Sequence, residues 1–153
     1  MRKIIFFDTS RVHTARQMRL FEELNKISEF KAVKLNMRSE DDEGNWQDMN
    51  NRASDVYITA SREIYKFNPD IVLVRADRFE QIMVTLAATY CGKIIAHIEG
   101  GDRSSAIDEH IRHSITKLAH IHFPTHEEAL QRIIRMGEDP RYIYNFGSLD
   151  VEI

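Results

Sequence analysis

Cysteine and long apolar runs are the scarcest features of this sequence. Its 153 residues include one cysteine, Cys91, which excludes an internal disulfide framework and a cysteine-rich zinc site. The apolar run behind the basic start, residues 4–7, is far shorter than that of a signal peptide, and no uncharged run could span a bilayer. We therefore expect a cytoplasmic protein with no membrane partner and with a buried, unreactive thiol.

Basic charge and glycine are also in short supply. The 21 basic residues are outnumbered by 24 acidic ones, which gives a net charge of −3, and we expect no nucleic-acid partner. The loop after the first apolar run, Asp8-Thr9-Ser10-Arg11, contains none of the six glycines. This absence excludes a glycine-rich phosphate loop of the GxGxxG kind, and Arg11 is the residue there that could bind a phosphate instead.

The remaining composition is that of an ordinary globular domain in which strands and helices alternate. The content is 42% hydrophobic and 29% charged, and the length suits one domain. Short β-branched runs predict strands at residues 3–7, 30–35, 71–74, 93–98, 121–123 and 142–144. Helical periodicity predicts helices at residues 18–27, 52–67, 82–90, from Ser105 or Ile107 to Leu118, and 126–136. Residues 36–50, which include Trp46, predict an exposed loop. The alternation predicts an α/β fold with a doubly wound, Rossmann-like parallel sheet in three α/β/α layers.

Acidic residues follow the carboxyl ends of three predicted strands. Asp8 follows the first strand, Asp77 the third and Glu99 the fourth. In an open parallel sheet these ends meet at one edge, and ligands bind just outside it. Gly100 and Gly101 come directly after Glu99, and paired glycines let a backbone turn tightly and approach a ligand closely. The sequence therefore predicts a site at this edge.

The helix that follows this turn carries two acids near its start. Its apolar face runs from Ile107 to Leu118, and Asp108 and Glu109 lie in the first turn. Two interpretations of these acids remain open. They complement the helix dipole, as first-turn acids commonly do, or they extend the site that begins at Glu99.

Histidines are concentrated in the same region. His110 and His113 are one helical turn apart. His120 directly precedes the next predicted strand and His122 lies within it, so the two point the same way. Three or four converging imidazoles would make a zinc site. Hydrogen-bonded or solvent-facing imidazoles are the commoner outcome, so metal binding stays an alternative and no metal is predicted.

Several of these segments resemble one protein family. The segments ADRFE, AHIEGGD, IDEHIRHSITKLAHIHF and the ending MGEDP...Y...GS are similar to motifs of the UDP-N-acetylglucosamine 2-epimerase family, particularly its hydrolysing branch. The similarity covers residues 69–148, and several motifs in one order are more specific than any single motif. The resemblance implies a GT-B type fold with its active site between two Rossmann-like halves. Residues 1–153 would then be a single Rossmann-like domain corresponding to the N-terminal half, with the second half absent.

The resemblance also implies a reaction and residues for it. The family removes the proton at C2 of the sugar and eliminates UDP to give a glycal, to which the hydrolysing branch adds water. Carboxylates act as acid and base in such chemistry. The residues that match the family's acids, and are expected to be catalytic, are Asp77, Glu99 and Glu109. The candidates for substrate binding are Arg11, Arg78, His97, Gly100, Gly101 and His113. An imidazole near the diphosphate would provide charge and proton transfer, and no cofactor is implied.

The chain departs from the family in two loops. Residues 75–78 read RADR where relatives usually read HGDR, and residues 8–11 read DTSR where relatives usually have a GTR loop. We expect a UDP-sugar substrate and either a separate C-terminal half or a second copy of the chain, because a half of a two-domain cleft exposes its former interface. The alternative is a non-catalytic nucleotide-sugar-binding or regulatory module with the same fold.

Overall fold

The computed structural model describes residues 1–9, 14–37, 46–104 and 107–149. In these ranges five parallel strands form one sheet in the order β2-β1-β3-β4-β5. The strands are β1 (Arg2–Asp8), β2 (Phe30–Asn36), β3 (Ile71–Arg75), β4 (Ile94–Ile98) and β5 (Ile121–Phe123). The helices are α1 (Thr14–Lys26), α2 (Trp46–Phe67), α3 (Phe79–Tyr90), α4 (Ile107–Leu118) and α5 (Glu127–Arg135), followed by a 3-10 turn at Pro140–Tyr142. The predicted Rossmann-like α/β/α fold is confirmed.

The strands direct apolar side chains to both faces of the sheet. In β1, Ile5 and Phe7 belong to the core formed with α2, α3 and α4. Ile4 and Phe6 belong to the core on the other face, which α1 covers. Burial on both faces explains why the strands read as continuous apolar runs.

The face under α1 is covered less completely than the other face. α1 contributes Leu20, Phe21 and Leu24 to it, and a groove of about 340 Å³ opens beside α1 over β3, β4 and β5. Its lining is apolar and includes Phe146 and Leu149, near the end of the described chain. The described residues therefore leave part of this apolar face without a covering helix.

The predicted last strand, residues 142–144, is wrong. Ile143 makes a single parallel bridge with His122, and the Tyr144 N–H donates to the His122 carbonyl at 2.8 Å. The turn at Pro140–Tyr142, capped by the Asp139 side chain, takes up the residues that a longer strand would need.

Two further local predictions are corrected. α2 begins at Trp46, so residues 46–50 are helical and not part of a loop, while residues 38–45 lie outside the described ranges. Cys91 is only partly buried, because it caps the carboxyl end of α3, where its N–H donates to the Ala87 carbonyl. Among the described residues no helix is long and apolar enough to cross a membrane.

Parallel pairing brings the carboxyl ends of the strands to one edge of the sheet, as predicted. β1 ends there at Asp8, and Arg75 at the end of β3 pairs with Ile98 of β4. The pairing continues past the strands, because the Ala76 N–H donates to the Ile98 carbonyl at 3.0 Å and the Glu99 N–H donates to a β5 carbonyl at 2.9 Å. The loops after β3 and β4 are thus held side by side.

α5 is anchored on the loop that follows β4. His126, the N-cap of α5, places Nε2 3.0 Å from Asp102 Oδ1, and Arg132 donates to the Gly101 carbonyl. Gly101 has a φ of 81°, and a side chain there would begin 2.5 Å from the Ala129 carbonyl oxygen. Glycine is therefore required both by the backbone conformation and by the close approach of α5.

Replacing Gly101 with alanine should destabilise the fold more than the same change at Gly137. Both glycines have positive φ, 81° and 91°, so each substitution introduces about 1–2 kcal/mol of left-handed strain. Only at Gly101 does the new methyl group also meet the helix backbone, since no described atom lies within 4 Å of the corresponding point at Gly137. Displacing α5 should add about 1–3 kcal/mol. Urea unfolding measures the difference, and equal losses would show that α5 does not pack here.

Candidate active site

Two buried arginines hold two of the predicted catalytic carboxylates at the edge of the sheet. Arg75, the last residue of β3, donates from Nε to Glu99 Oε1 at 2.8 Å and from Nη2 to the same oxygen. Arg112, in α4, donates from Nη2 to Asp77 Oδ2. The arginines are 3% and 9% exposed, so both charge-assisted contacts are largely removed from water. They connect β3 with the loop after β4, and α4 with the loop after β3.

Glu109 joins this group from the first turn of α4. Its Oε2 accepts a hydrogen bond from the Ser104 N–H at 3.2 Å, and its Oε1 lies 3.8 Å from His113 Nε2. The Ser104 hydroxyl oxygen in turn accepts from Arg112 Nη1 at 3.5 Å. Asp108, the other acid of this turn, is exposed. The structure thus places Glu109, and not Asp108, in the network around Arg112.

Among the described residues, Asp77 and Glu99 each have a partner for only one carboxylate oxygen. The arginines bind Asp77 Oδ2 and Glu99 Oε1, and no described residue hydrogen-bonds Asp77 Oδ1 or Glu99 Oε2. The two side chains are 20% and 13% exposed. A carboxylate with one oxygen held and the other open can exchange a proton with a ligand in a fixed geometry.

Two residues beside these carboxylates adopt the left-handed conformation without being glycine. Ala76 has a φ of 61° and Glu99 a φ of 64°, a region that disfavours residues with a Cβ by about 1–2 kcal/mol. Such outliers cluster at functional sites, where the surrounding structure holds them in place. Their position therefore supports a functional role for this edge.

His97 supports the loop that carries Asp77. The ring is fully buried, with Nε2 3.0 Å from the Ala76 carbonyl oxygen and Nδ1 3.2 Å from Thr116 Oγ1. Burial lowers the pKa of His97 to about 3, so the ring is neutral near pH 7. Because a carbonyl only accepts, Nε2 carries the ring proton and donates to Ala76. The structure places His97 under the loop as a neutral support and not as a charged group facing a diphosphate.

The paired glycines make room for protein groups. A side chain on Gly100 would begin 2.8 Å from His97 Nδ1 and 3.1 Å from Thr116 Oγ1. Gly101 lies against α5, and both glycines are buried. The close approach that the sequence predicts at this turn is made here by the His97 ring and by α5.

The other substrate-binding candidates differ in their surroundings. Arg78, with a side chain 33% exposed, binds the buried Glu80 at 3.1 Å from both Nε and Nη2. His113 is partly buried, and burial is the main cause that lowers its pKa, while the Glu109 carboxylate acts in the opposite sense. Arg11 lies outside the described residues. Arg78 is thus a cation of the β3–α3 loop that is paired with Glu80 and still partly exposed.

The histidines considered for a metal site have separate surroundings. His110 is exposed, and His120 Nδ1 accepts from the Ile95 N–H at 3.2 Å. His122 Nε2 lies 3.5 Å from Glu138 Oε2. Within the described ranges no three histidine, cysteine or acidic side chains are grouped so that they could hold a metal. The geometry gives the metal interpretation no support.

The sequence did not predict three residues of the hydrogen-bond network around the carboxylates: Arg75, Arg112 and Ser104. Partial signals for the arginines were visible. Arg112 follows Glu109 by three residues and so shares its side of the helix, and Arg75 directly precedes the acid-bearing loop. Neither signal says which carboxylate each guanidinium binds.

Comparison with known proteins decides the family. The sequence model of the family described as UDP-N-acetylglucosamine 2-epimerase matches residues 3–153. The chain belongs to this family.

Two relatives show how much of a UDP-N-acetylglucosamine 2-epimerase the match covers. A UDP-N-acetylglucosamine 2-epimerase of Neisseria meningitidis serogroup B is 38% identical over 93 residues, which are 61% of this chain and 25% of the relative. A hydrolysing UDP-N,N'-diacetylbacillosamine 2-epimerase of Legionella pneumophila is 42% identical over 80 residues, which are 52% of this chain and 21% of the relative. The matches thus span a quarter or less of these relatives' length.

A solved structure extends the likeness to the whole described fold. The crystal structure of UDP-GlcNAc 2-epimerase from Neisseria meningitidis bound to UDP-GlcNAc matches with a TM-score of 0.87 and 17% identity. The match covers 95% of this chain and 46% of that chain. At this identity the likeness concerns the fold alone, and it confirms the predicted relation to half of a GT-B type protein.

The buried histidine of this epimerase-family chain should make the fold sensitive to acid. The folded-state pKa of His97 is lowered from 6.5 to about 3, so the unfolded chain takes up this proton first as the pH falls. The stability that depends on the neutral ring is complete above pH 6.5 and is lost towards pH 3, at no more than about 1.4 kcal/mol per pH unit. Burial also lowers the pKa of His122, which adds in the same direction.

Unfolding free energies measured by urea titration from about pH 7.5 to about pH 5 test this dependence. Stability should fall with pH in the wild type, and the slope should be shallower in His97→Gln. His110→Gln removes an exposed imidazole and should keep the wild-type slope. An unchanged slope in His97→Gln would show that this ring is not held in the neutral form.

Proposed function

We propose that this chain supplies acid–base groups for a UDP-N-acetylglucosamine 2-epimerase reaction, in which a carboxylate removes the C2 proton of a UDP-sugar and UDP leaves. The observation that carries the proposal is the placement of Asp77, Glu99 and Glu109 at one edge of the sheet, each bound by a protein donor. A weakly acidic C–H group needs a positioned base. The bound oxygen of each carboxylate supplies that positioning.

The proposed step balances with the groups at this edge. The C2 proton passes to a carboxylate oxygen, the C–H electron pair becomes the C1–C2 double bond, and the C1–O bond breaks with its electrons leaving on UDP. Glu99 Oε2 and Asp77 Oδ1 are the open oxygens that can take this proton. Glu109, 3.8 Å from His113, is suited to protonate the leaving oxygen or to activate water. Addition of water to the glycal would give the hydrolysing outcome named for the Legionella relative.

The proposed substrate is a UDP-sugar, and a second half or a second copy of the chain completes its binding site. The Neisseria structure with this fold is bound to UDP-GlcNAc. Arg78 and Arg11 are the candidates on this chain for contacts with the diphosphate. Because the match covers 46% of that structure, we propose that a separate C-terminal half or a second copy supplies the remaining contacts.

A non-catalytic binding module is less well supported than the enzyme. Binding a nucleotide sugar does not by itself require a left-handed glutamate whose carboxylate is held by a buried arginine. The strain at Ala76 and Glu99 and the pairing of Glu99 with Arg75 therefore favour the catalytic interpretation.

Neutral analogues of the three acids test the proposed chemistry. Asp77→Asn, Glu99→Gln and Glu109→Gln keep the side-chain shape and remove the titratable group, so each should slow C2 proton exchange by about 100-fold to 10,000-fold with KM nearly unchanged. The measurement is deuterium incorporation at C2 of UDP-GlcNAc in D2O, followed by NMR, with the chain alone and with a second half added.

Asp108→Asn is the matched control for Glu109→Gln. Both acids lie in the first turn of α4, but Asp108 is exposed, so its loss should leave exchange intact. If Glu109 only complements the helix dipole, Glu109→Gln will likewise keep the rate and lose about 0.3–1 kcal/mol of stability. Wild-type exchange in all three variants would remove these carboxylates from the mechanism.

A further inference from the structure

We propose that Arg75 is a positioning residue for this reaction and fixes the Glu99 side chain so that Oε2 faces the sugar. The inference rests on the proposed function. It assigns a part in the chemistry to a buried residue of β3 that does not itself contact the substrate.

The contact between Arg75 and Glu99 defines a direction for the carboxylate. Nε and Nη2 of Arg75 both donate to Glu99 Oε1, at 2.8 Å and 2.5 Å. Arg75 pairs with Ile98 in the parallel β3–β4 pairing, and Glu99 is the residue directly after Ile98. The pairing therefore brings Glu99 next to Arg75. A guanidinium holds its N–H groups in a rigid plane, whereas the ammonium group of lysine has no such fixed pair of donors.

The backbone conformation of Glu99 is fixed by the fold, whereas its side-chain conformation is fixed only if the carboxylate has a hydrogen-bond partner. Its φ is 64°, and its N–H donates to the Phe123 carbonyl at 2.9 Å, so the point from which the side chain leaves is set. Three side-chain torsions remain, and without a partner they would spread the carboxylate over several rotamers. Among the described residues Arg75 alone hydrogen-bonds this carboxylate. It thereby selects an arrangement in which Oε2 stays open.

Burial makes this selection strong. The side chains of Arg75 and Glu99 are 2% and 13% exposed, so water competes poorly for either group, and removal of Arg75 takes away the guanidinium that holds the Glu99 carboxylate. A displacement of about 1 Å in a catalytic group can slow a reaction about 100-fold. Removal of Arg75 should therefore lower turnover, while binding of the UDP-sugar, which uses other groups, changes little.

Substitutions of Arg75 test the inference in the C2 exchange assay with UDP-GlcNAc. We expect kcat to fall about 100-fold in Arg75→Ala and about 10-fold in Arg75→Lys, with KM within about twofold of the wild type. Guanidinium chloride far below denaturing concentrations should restore part of the Arg75→Ala rate, because the free cation can occupy the vacated place. Sodium chloride at the same ionic strength should not. Arg141→Lys alters an exposed arginine–aspartate pair and is the matched control, with the wild-type rate expected.

The outcomes separate this inference from the proposed function. Circular dichroism shows whether each variant is folded, and if Arg75→Ala is not, Arg75→Lys carries the test because it keeps the charge and the aliphatic stem. A folded variant with wild-type kcat would overturn the inference and leave the proposed function standing. Absence of exchange in the wild type, both alone and with a second half, would refute the proposed function and this role together.

Discussion

Parallel pairing of β3 with β4 is the constraint on which the site depends. Arg75 of β3 pairs with Ile98, the last residue of β4. Glu99, which follows Ile98, therefore lies within reach of the guanidinium. The pairing then continues to Ala76, whose left-handed turn leads into the loop of Asp77. A shift of one residue in register would send Arg75 to the opposite face of the sheet and separate it from Glu99.

The charges at this edge are arranged so that the arginines bind the carboxylates while the histidine beneath them stays neutral. Burial is the main reason for the low pKa of His97, and the charge of Arg112 acts in the same sense. A protonated ring would place another buried cation near Arg112. The neutral ring instead donates a hydrogen bond to the Ala76 carbonyl, which holds the loop, so support and charge come from different residues.

The sheet and the convergence of the Asp77 and Glu99 loops at one of its edges could be predicted, because they depend on local patterns and on the handedness of parallel crossovers. The partners of the carboxylates could not. The contact of Arg75 with Glu99 requires the strand register, and that of Arg112 with Asp77 requires the packing of α4, neither of which one sequence specifies. The sequence suggested a charged role for His97 because it does not show that the ring is completely buried. Burial of this ring is a property of the tertiary structure. A single bridge at Ile143 replaces a predicted strand for a similar reason. An alternation of apolar residues does not show how many residues of a neighbouring strand are available for pairing.

The measurement that tests the account most directly is a titration of the 15N-labelled chain with UDP-GlcNAc, followed through backbone amide shifts. If the sugar binds at the carboxyl edge of the sheet, shifts should concentrate at residues 75–78, 99–104 and 107–113. Because a C-terminal half or a second copy is proposed to supply the remaining contacts, the Kd should be millimolar, which corresponds to a binding free energy of about −4 kcal/mol. Shifts centred on the opposite edge of the sheet, around residues 68–70 and 92–93, would contradict the placement of the site.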